Sequence, residues 1–255
     1  MIKQQEFRTK GIILSKLNWK ESSLILNVLT ETEGLLNVIA QGVRKPKSKM
    51  FAQFESGHCV NLILKKSVSA QMYKVVDSSV NVDYIKFYSY PQLLSVQIIL
   101  EIVNQLQISP DESKEFFELI SSFLLYIKTV NSNHIFVVWR CWLRIFTILG
   151  YTVELLKCSL CNGIIKSKVF INPDNYTLMC SKCMQGFKDM QMIEVSDKFM
   201  MLINQIPKAG IVCKQDNIID KSIIEVNLFF KNYLNFHLNK VFHYKALELY
   251  EEYIK

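Results

Sequence analysis

Residues 22–40 read SSLILNVLTETEGLLNVIA. Ser22 to Thr30 is a short, apolar, β-branched run. Glu31-Thr32-Glu33-Gly34 is turn chemistry, and Leu35 to Ala40 returns as a second apolar run. Two such runs around a Gly-containing turn read as a β-hairpin. Upstream, Phe7 to Leu17 is β-rich with Gly11 inside it. Downstream, Gln41 to Met50 is a basic loop holding Pro46, and His58 to Lys65 and Gln71 to Asp77 supply two more strands. Five short strands without helical periodicity suggest a small closed barrel of the oligonucleotide/oligosaccharide-binding (OB) type. On pattern alone an SH3-like barrel fits almost as well.

The register changes near residue 81. Pro91 to Gln107 is apolar at helical spacing. Ser109-Pro110-Asp111-Glu112 opens a helix that runs to about Lys128, with Ser as N-cap, Pro at the first position and Glu three residues on. Another helix spans about Asn133 to Leu149 and stops at Gly150. Helical pattern resumes from Ser196 to Ile206 and from about Asp220 to the end. The expected fold is α+β and multi-domain. A five-stranded OB-type barrel at 1–80 precedes a helical domain at 81–255, with a cysteine ribbon inserted at about 157–186.

That ribbon carries Cys158-Ser159-Leu160-Cys161 and Cys180-Ser181-Lys182-Cys183. Two C-x-x-C hooks at this separation read as a four-thiolate zinc site, since each hook points two thiolates at one ion and two hooks close a tetrahedron. Lys168 to Asn172 and Tyr176 to Met179 are strand-like around a Pro173-Asp174-Asn175 turn. A disulfide framework is disfavoured, because seven cysteines is an odd number and no secretory signal is visible. A redox centre needs a βαβ setting that is missing. Four protein donors make the Zn2+ structural, one per chain. Cys59, Cys141 and Cys213 lack a partner hook and read as small apolar residues.

Net charge is +7. Residues 1–80 hold twelve Lys/Arg against six Asp/Glu, and residues 81–255 hold eighteen against seventeen. A basic N-terminal third suggests a polyanion-binding module. Only four of the basic residues are arginine, which favours phosphate contact over base reading. Arg44, Lys45, Lys47 and Lys49 crowd one loop and are the first candidates for DNA or RNA contact. Arg8, Lys10, Lys16, Lys20, Lys65, Lys66 and Lys74 are further candidate cations, with Trp19, Phe51 and Tyr73 as stacking faces. The competing reading is a solvated loop and an aromatic core. No P-loop, dinucleotide fingerprint, zincin or nucleophile-elbow motif occurs, so no nucleotide cofactor and no enzyme is expected. Met1 to Glu6 is not a signal peptide and no apolar run is long enough to span a membrane, so a cytoplasmic protein is expected.

Several stretches resemble the bacterial RecO recombination-mediator family. They are Asn18-Trp19-Lys20-Glu21-Ser22-Ser23, Thr30 to Gly34, Ala40-Gln41-Gly42-Val43-Arg44-Lys45 and Gln53-Phe54. Later come Leu149-Gly150-Tyr151 just before the hooks and Tyr233-Leu234-Asn235-Phe236-His237-Leu238. Two departures stand out: Lys20 occupies a position where glycine is usual, and the C-terminal helix is acidic where basic residues are common. The resemblance implies an OB domain, a helical domain and an ATP-independent function. It implies binding of single- and double-stranded DNA, annealing of complementary strands and, with RecR, loading of RecA onto DNA coated by single-strand-binding protein (SSB). It also implies contact with the SSB C-terminal tail, for which Arg140 and Arg144 are candidates; an ion pair tethering their helix is the competing reading. It places the protein in the cytoplasm with the nucleoid. The alternative is a zinc-ribbon regulatory or RNA-binding factor using Lys157, Lys166, Lys168, Lys182 and Lys188.

Overall fold

The computed structural model describes residues 6–66, 72–84, 88–165, 168–186, 192–206 and 221–254. Gln71, Lys166, Lys188 and Cys213 lie outside these residues. Strands β1 (Glu6–Trp19), β2 (Ser23–Thr30), β3 (Leu35–Ala40), β4 (Cys59–Lys66) and β5 (Tyr73–Val82) close a barrel in the order β1-β2-β3-β5-β4. β5 lies between β3 and β4 and runs parallel to β3, with Val38 opposite Tyr73 and Ile39 opposite Lys74. This crossover is OB topology and decides between the two barrels left open by pattern. A bulge between Ile13 and Ser15 lets β1 serve two neighbours, β4 along its first half and β2 along its second. Leu24, Leu26, Val28, Val38, Ala40, Leu62 and Leu64 alternate inward to form the core. Gly11 is required by close approach, since a Cβ there would sit 2.4 Å from Val28 Cγ1.

Two helices pack on this barrel, α1 (Tyr90–Asn104) against β1 and α2 (Pro110–Ile127) against β2 and β1. Both begin with a reach-back cap. Gln92 accepts from the Ser89 N–H at 2.7 Å, and Glu112 accepts from the Ser109 N–H at 3.0 Å and its hydroxyl at 2.6 Å. Those bonds hold the Glu112 carboxyl below its ordinary range. The Thr30–Gly34 turn docks on the start of α2. Gly34 donates to Ser113 Oγ at 2.9 Å, Ser113 donates to the Thr30 carbonyl at 2.6 Å, and the Leu35 N–H reaches the Ile108 carbonyl at 3.3 Å. Gly34 has φ +74°, and a Cβ there would lie 2.2 Å from the Ile108 carbonyl oxygen. The chain divides into two compact units, Met1–Thr129 with Tyr244–Ala246, and Val130–His243 with Leu247–Lys255. Thus α1 and α2 belong to the barrel's unit.

In the second unit, α3 (His134–Ile148) buries Trp139, Trp142 and Phe146 against Phe230 of α6 (Lys221–His237), the three rings lying 5.7–6.5 Å from it. Trp139 Nε1 donates to the buried Asn227 Oδ1 at 2.8 Å, and Asn227 Nδ2 donates to Glu251 at 2.8 Å. Between α3 and α6 lie β6 (Val169–Ile171), β7 (Leu178–Cys180), the short helix α4 (Ser181–Met184), β8 (Ile193–Glu194) and α5 (Asp197–Ile203). α3 ends as expected at Gly150, which has φ 82°; Tyr151 N–H reaches back to the Phe146 carbonyl at 2.8 Å. The final helix does not run unbroken. Asn239 takes φ 46° and Lys240 N–H bonds the Asn235 carbonyl at 3.1 Å, a Schellman ending that separates α6 from α7 (Lys245–Tyr253). The motifs Leu149–Tyr151 and Tyr233–Leu238 meet. The Tyr151 hydroxyl donates to the His237 carbonyl at 3.0 Å, and the His237 ring packs on Tyr233 and Tyr151 at 4.1 and 4.8 Å. Burial there pushes the His237 imidazole below its ordinary pKa.

Candidate nucleic-acid interface and four-cysteine centre

The basic loop is pinned at both ends and exposed between them. Val43 and Phe54 are buried in the barrel core, while Lys45, Lys47 and Lys49 face solvent. Its start is tied to the β1–β2 turn. Arg44 N–H donates to the Ser22 carbonyl at 2.9 Å, and the Arg44 guanidinium donates to the Lys20 carbonyl at 3.3 Å. Its end is tied by Gln53, which accepts from Ser78 Oγ at 2.7 Å and whose carbonyl faces His58 Nδ1 at 3.1 Å. Arg44 thus has a structural task as well as a charge. Lys20 adopts φ 50°, the left-handed region where glycine is at ease.

Strand register sorts the scattered cations. Directly paired residues share a face. Leu17, Ile25, Ile39, Lys74 and Lys65 pair in succession across β1, β2, β3, β5 and β4, forming one outward row. Trp19, two residues beyond Leu17, lies on the same face. Leu17 is 63% exposed and Trp19 43% exposed. Arg8 and Lys10 continue the outer surface beside β4 and β5, lining an open groove of about 550 Å³ with Asn61, Ile63, Asp77 and Ser79. The face is therefore apolar where β1, β2 and β3 meet at Leu17, Ile25 and Ile39, and mixed in charge where β1, β4 and β5 meet, with Arg8, Lys10, Lys65 and Lys74 set among Glu6, Glu31 and Asp77. Lys65 sits opposite Lys74 on β5 and opposite Glu6 on β1, so it has one like and one unlike charge as strand neighbours.

Other candidates sit elsewhere. Lys16 lies on the opposite face of β1, with its ammonium 2.5 Å from Glu55 and 5.7 Å from the Phe51 ring centroid. Lys10 meets Glu31 at 3.5 Å. The Tyr73 ring packs edge-on against Phe7 at 5.5 Å, at the margin of the core, and Lys66 pairs with it across the strands. Arg140 and Arg144 lie one turn apart on α3, half-buried and exposed respectively. Ile25 and Ile39 were missed as surface residues because both strands are mostly apolar; the signal that could have found them is Asn27 and Asn37, two positions away on the same side of each strand.

The four hook cysteines come together, with all four Sγ atoms within 4.8 Å of one another. The Cys161 and Cys180 sulfurs are 3.9 Å apart. A tetrahedral ion with metal–sulfur bonds of about 2.3 Å requires sulfur–sulfur edges of about 3.8 Å, so the set fits such an ion. The first hook is a knuckle. Lys157 and Ile164 bridge, Cys158 N–H donates to the Gly163 carbonyl at 2.9 Å, and Asn162 turns the chain at φ 55°. The second hook joins the end of β7 to the start of α4. β6 and β7 pair antiparallel, as expected, with Val169 opposite Cys180. Cys158 is fully buried and its sulfur accepts the Cys180 N–H at 3.4 Å. Burial opposes its ionisation, but N–H bonds from Cys161, Cys180 and Leu160 prevail and bring its thiol down to about 6. Contacts with the Cys161 and Cys180 thiols instead push Cys183 up to about 12. Four thiolates cannot crowd this space without a cation to neutralise them.

Barrel order, basic outer face and four-thiol ribbon together define an OB-barrel protein with a separate metal-type centre. Residues 1–80 match the family described as Recombination protein O N terminal, and residues 88–219 match Recombination protein O C terminal. The chain belongs to the RecO family. It is 21% identical over 256 residues to the DNA repair protein RecO of Chloroherpeton thalassium, covering 96% of this chain and 98% of that protein. It is 23% identical to that of Thermodesulfovibrio yellowstonii, covering 89% and 92%, and 26% identical to that of Mycoplasma mycoides subsp. mycoides, covering 68% and 70%. Among the described residues no helix is long and apolar enough to cross a membrane.

Proposed function

We propose that this protein is a DNA-repair and recombination mediator, a binding and annealing protein rather than an enzyme. It holds single- and double-stranded DNA on the barrel, anneals complementary strands without ATP and, with RecR, helps load RecA onto SSB-coated single strands. The observation that carries this reading is the outer face of the barrel, apolar at Leu17, Trp19, Ile25 and Ile39 and cationic at Lys74, Lys65 and Arg8, beside the exposed loop lysines. One aromatic face, Trp19, with aliphatic surface beside it and cations along the same side, suits a single strand. Screening two backbones by the same lysines supports annealing.

The ribbon holds one structural Zn2+ through Cys158, Cys161, Cys180 and Cys183, with no position left open for catalysis. The SSB tail docks on the helical part, with Arg140 or Arg144 supplying the cation. The protein works in the cytoplasm, at the nucleoid. The test is annealing of complementary strands without nucleotide, on bare and on SSB-coated DNA. Acceleration on both supports the mediator; binding to RNA alone, without annealing, would favour the zinc-ribbon RNA-binding alternative.

A further inference from the structure

The four hook thiols are unequally shielded. Cys158 is fully buried, Cys180 and Cys183 are half-buried, and Cys161 is exposed. Gly163 is a near neighbour of the Cys161 sulfur, and a Cβ there would touch it at 3.4 Å, so the missing side chain leaves that side open. The flanking apolar residues do not cover it either, since Leu160 and Ile164 are 52% and 68% exposed. Its sulfur lies 3.9 Å from that of Cys180 on the other hook and also contacts that of Cys183, so both cysteines of the second hook are within its reach and Cys180 is the one at the 3.9 Å approach. An exposed sulfur with a second sulfur beside it is the arrangement of an attacking and a resolving cysteine.

We propose that Cys161 is a thiol-oxidation site, and that a hydroperoxide closes a Cys161–Cys180 disulfide and thereby expels the metal from the ribbon. The inference goes beyond the mediator reading and borrows from it only the bound zinc. Cys161 thiolate attacks one oxygen of hydrogen peroxide, the O–O bond breaks, and hydroxide leaves a sulfenic acid behind. Cys180 thiolate attacks that sulfur, the S–S bond forms, the S–O bond breaks, and a second hydroxide leaves. Two thiolates lose two electrons, peroxide gains them, and two protons convert the hydroxides to water. Cys158 and Cys183 remain as two donors where a tetrahedral ion needs four, so the ion departs. The new bond links the two hooks across the place the ion held.

The experiment treats the reduced, zinc-loaded full chain with hydrogen peroxide. A chromogenic chelator reads zinc, iodoacetamide traps free thiols, and peptide mass spectrometry assigns them. The expected result is one zinc per chain released in step with a Cys161–Cys180 linkage, reversed by dithiothreitol and fresh zinc. Alkylation of the untreated chain should be roughly tenfold or more faster at Cys161 than at Cys158. Buried Cys59 and Cys141 should stay reduced. The alkylation order needs no variant, so a misfolded mutant cannot obscure it. Equal rates at Cys158 and Cys161, linkages within a hook, a Cys161–Cys183 linkage in place of Cys161–Cys180, or zinc release without the Cys161–Cys180 linkage would overturn the proposal. A chain that takes up no zinc yet forms the linkage overturns the metal half and leaves the pairing supported.

Discussion

Lys20 carries two roles that pull apart. It holds φ 50° at the β1–β2 turn, and its side chain is one of the exposed cations near Arg44. The left-handed region costs a non-glycine residue roughly 1–2 kcal/mol, and glycine's extra unfolded-state entropy offsets about 0.5–1 of that. Lys20→Gly should therefore stabilise the protein by about 0.5–1 kcal/mol while weakening DNA binding, measured by denaturant melts and fluorescence anisotropy. Gly34 is the opposite case. Its left-handed φ and its contact with the Ile108 carbonyl leave no room for a Cβ. Gly34→Ala should cost at least about 2 kcal/mol in the same melt. The Thr30–Gly34 motif was legible as a turn. Its docking on α2 was not, because the partner residues lie almost eighty positions away.

At the scale of elements, the ribbon was readable because metal chemistry fixes cysteine spacing, and the hairpin because turn residues punctuate it. The break at Asn239 was not readable, since apolar residues continue on both sides and one asparagine φ angle ends the helix. Structural zinc contributes on the order of 10–16 kcal/mol in small zinc peptides, against about 5–15 for a whole domain. Cys158→Ser should therefore lose the metal and unfold the ribbon, while the barrel keeps its DNA affinity. Elemental analysis and binding on one preparation check both halves. Burial lowers the imidazole pKa of His134 and His237. The unfolded chain then binds more protons than the folded one below the ordinary histidine pKa of about 6.5, so stability should fall as pH drops below that value. Thermal melts between pH 7 and 5 should show this loss, and replacing His237 with Phe should reduce it.

At the scale of the whole molecule, charge asymmetry between the first 80 residues and the rest pointed to the barrel as the candidate polyanion module. It could not arrange the cations, because lysine spacing carries no register. Pairing placed Lys65, Lys74, Arg8 and Lys10 on one face, set Lys16 against Glu55, and gave the Tyr73 ring to Phe7. The central claim is that this face and the loop beside it hold DNA through phosphates. The most direct test is the salt dependence of single-strand affinity in the Lys45, Lys47 and Lys49 triple-alanine variant, with Arg44 kept for its bond to the β1–β2 turn. Three lost phosphate contacts, at about 0.7 of a log unit each, should flatten the log–log slope by about 2 for every DNA sequence tried. A folded variant that keeps the parent slope would contradict the account and place the DNA track away from this loop.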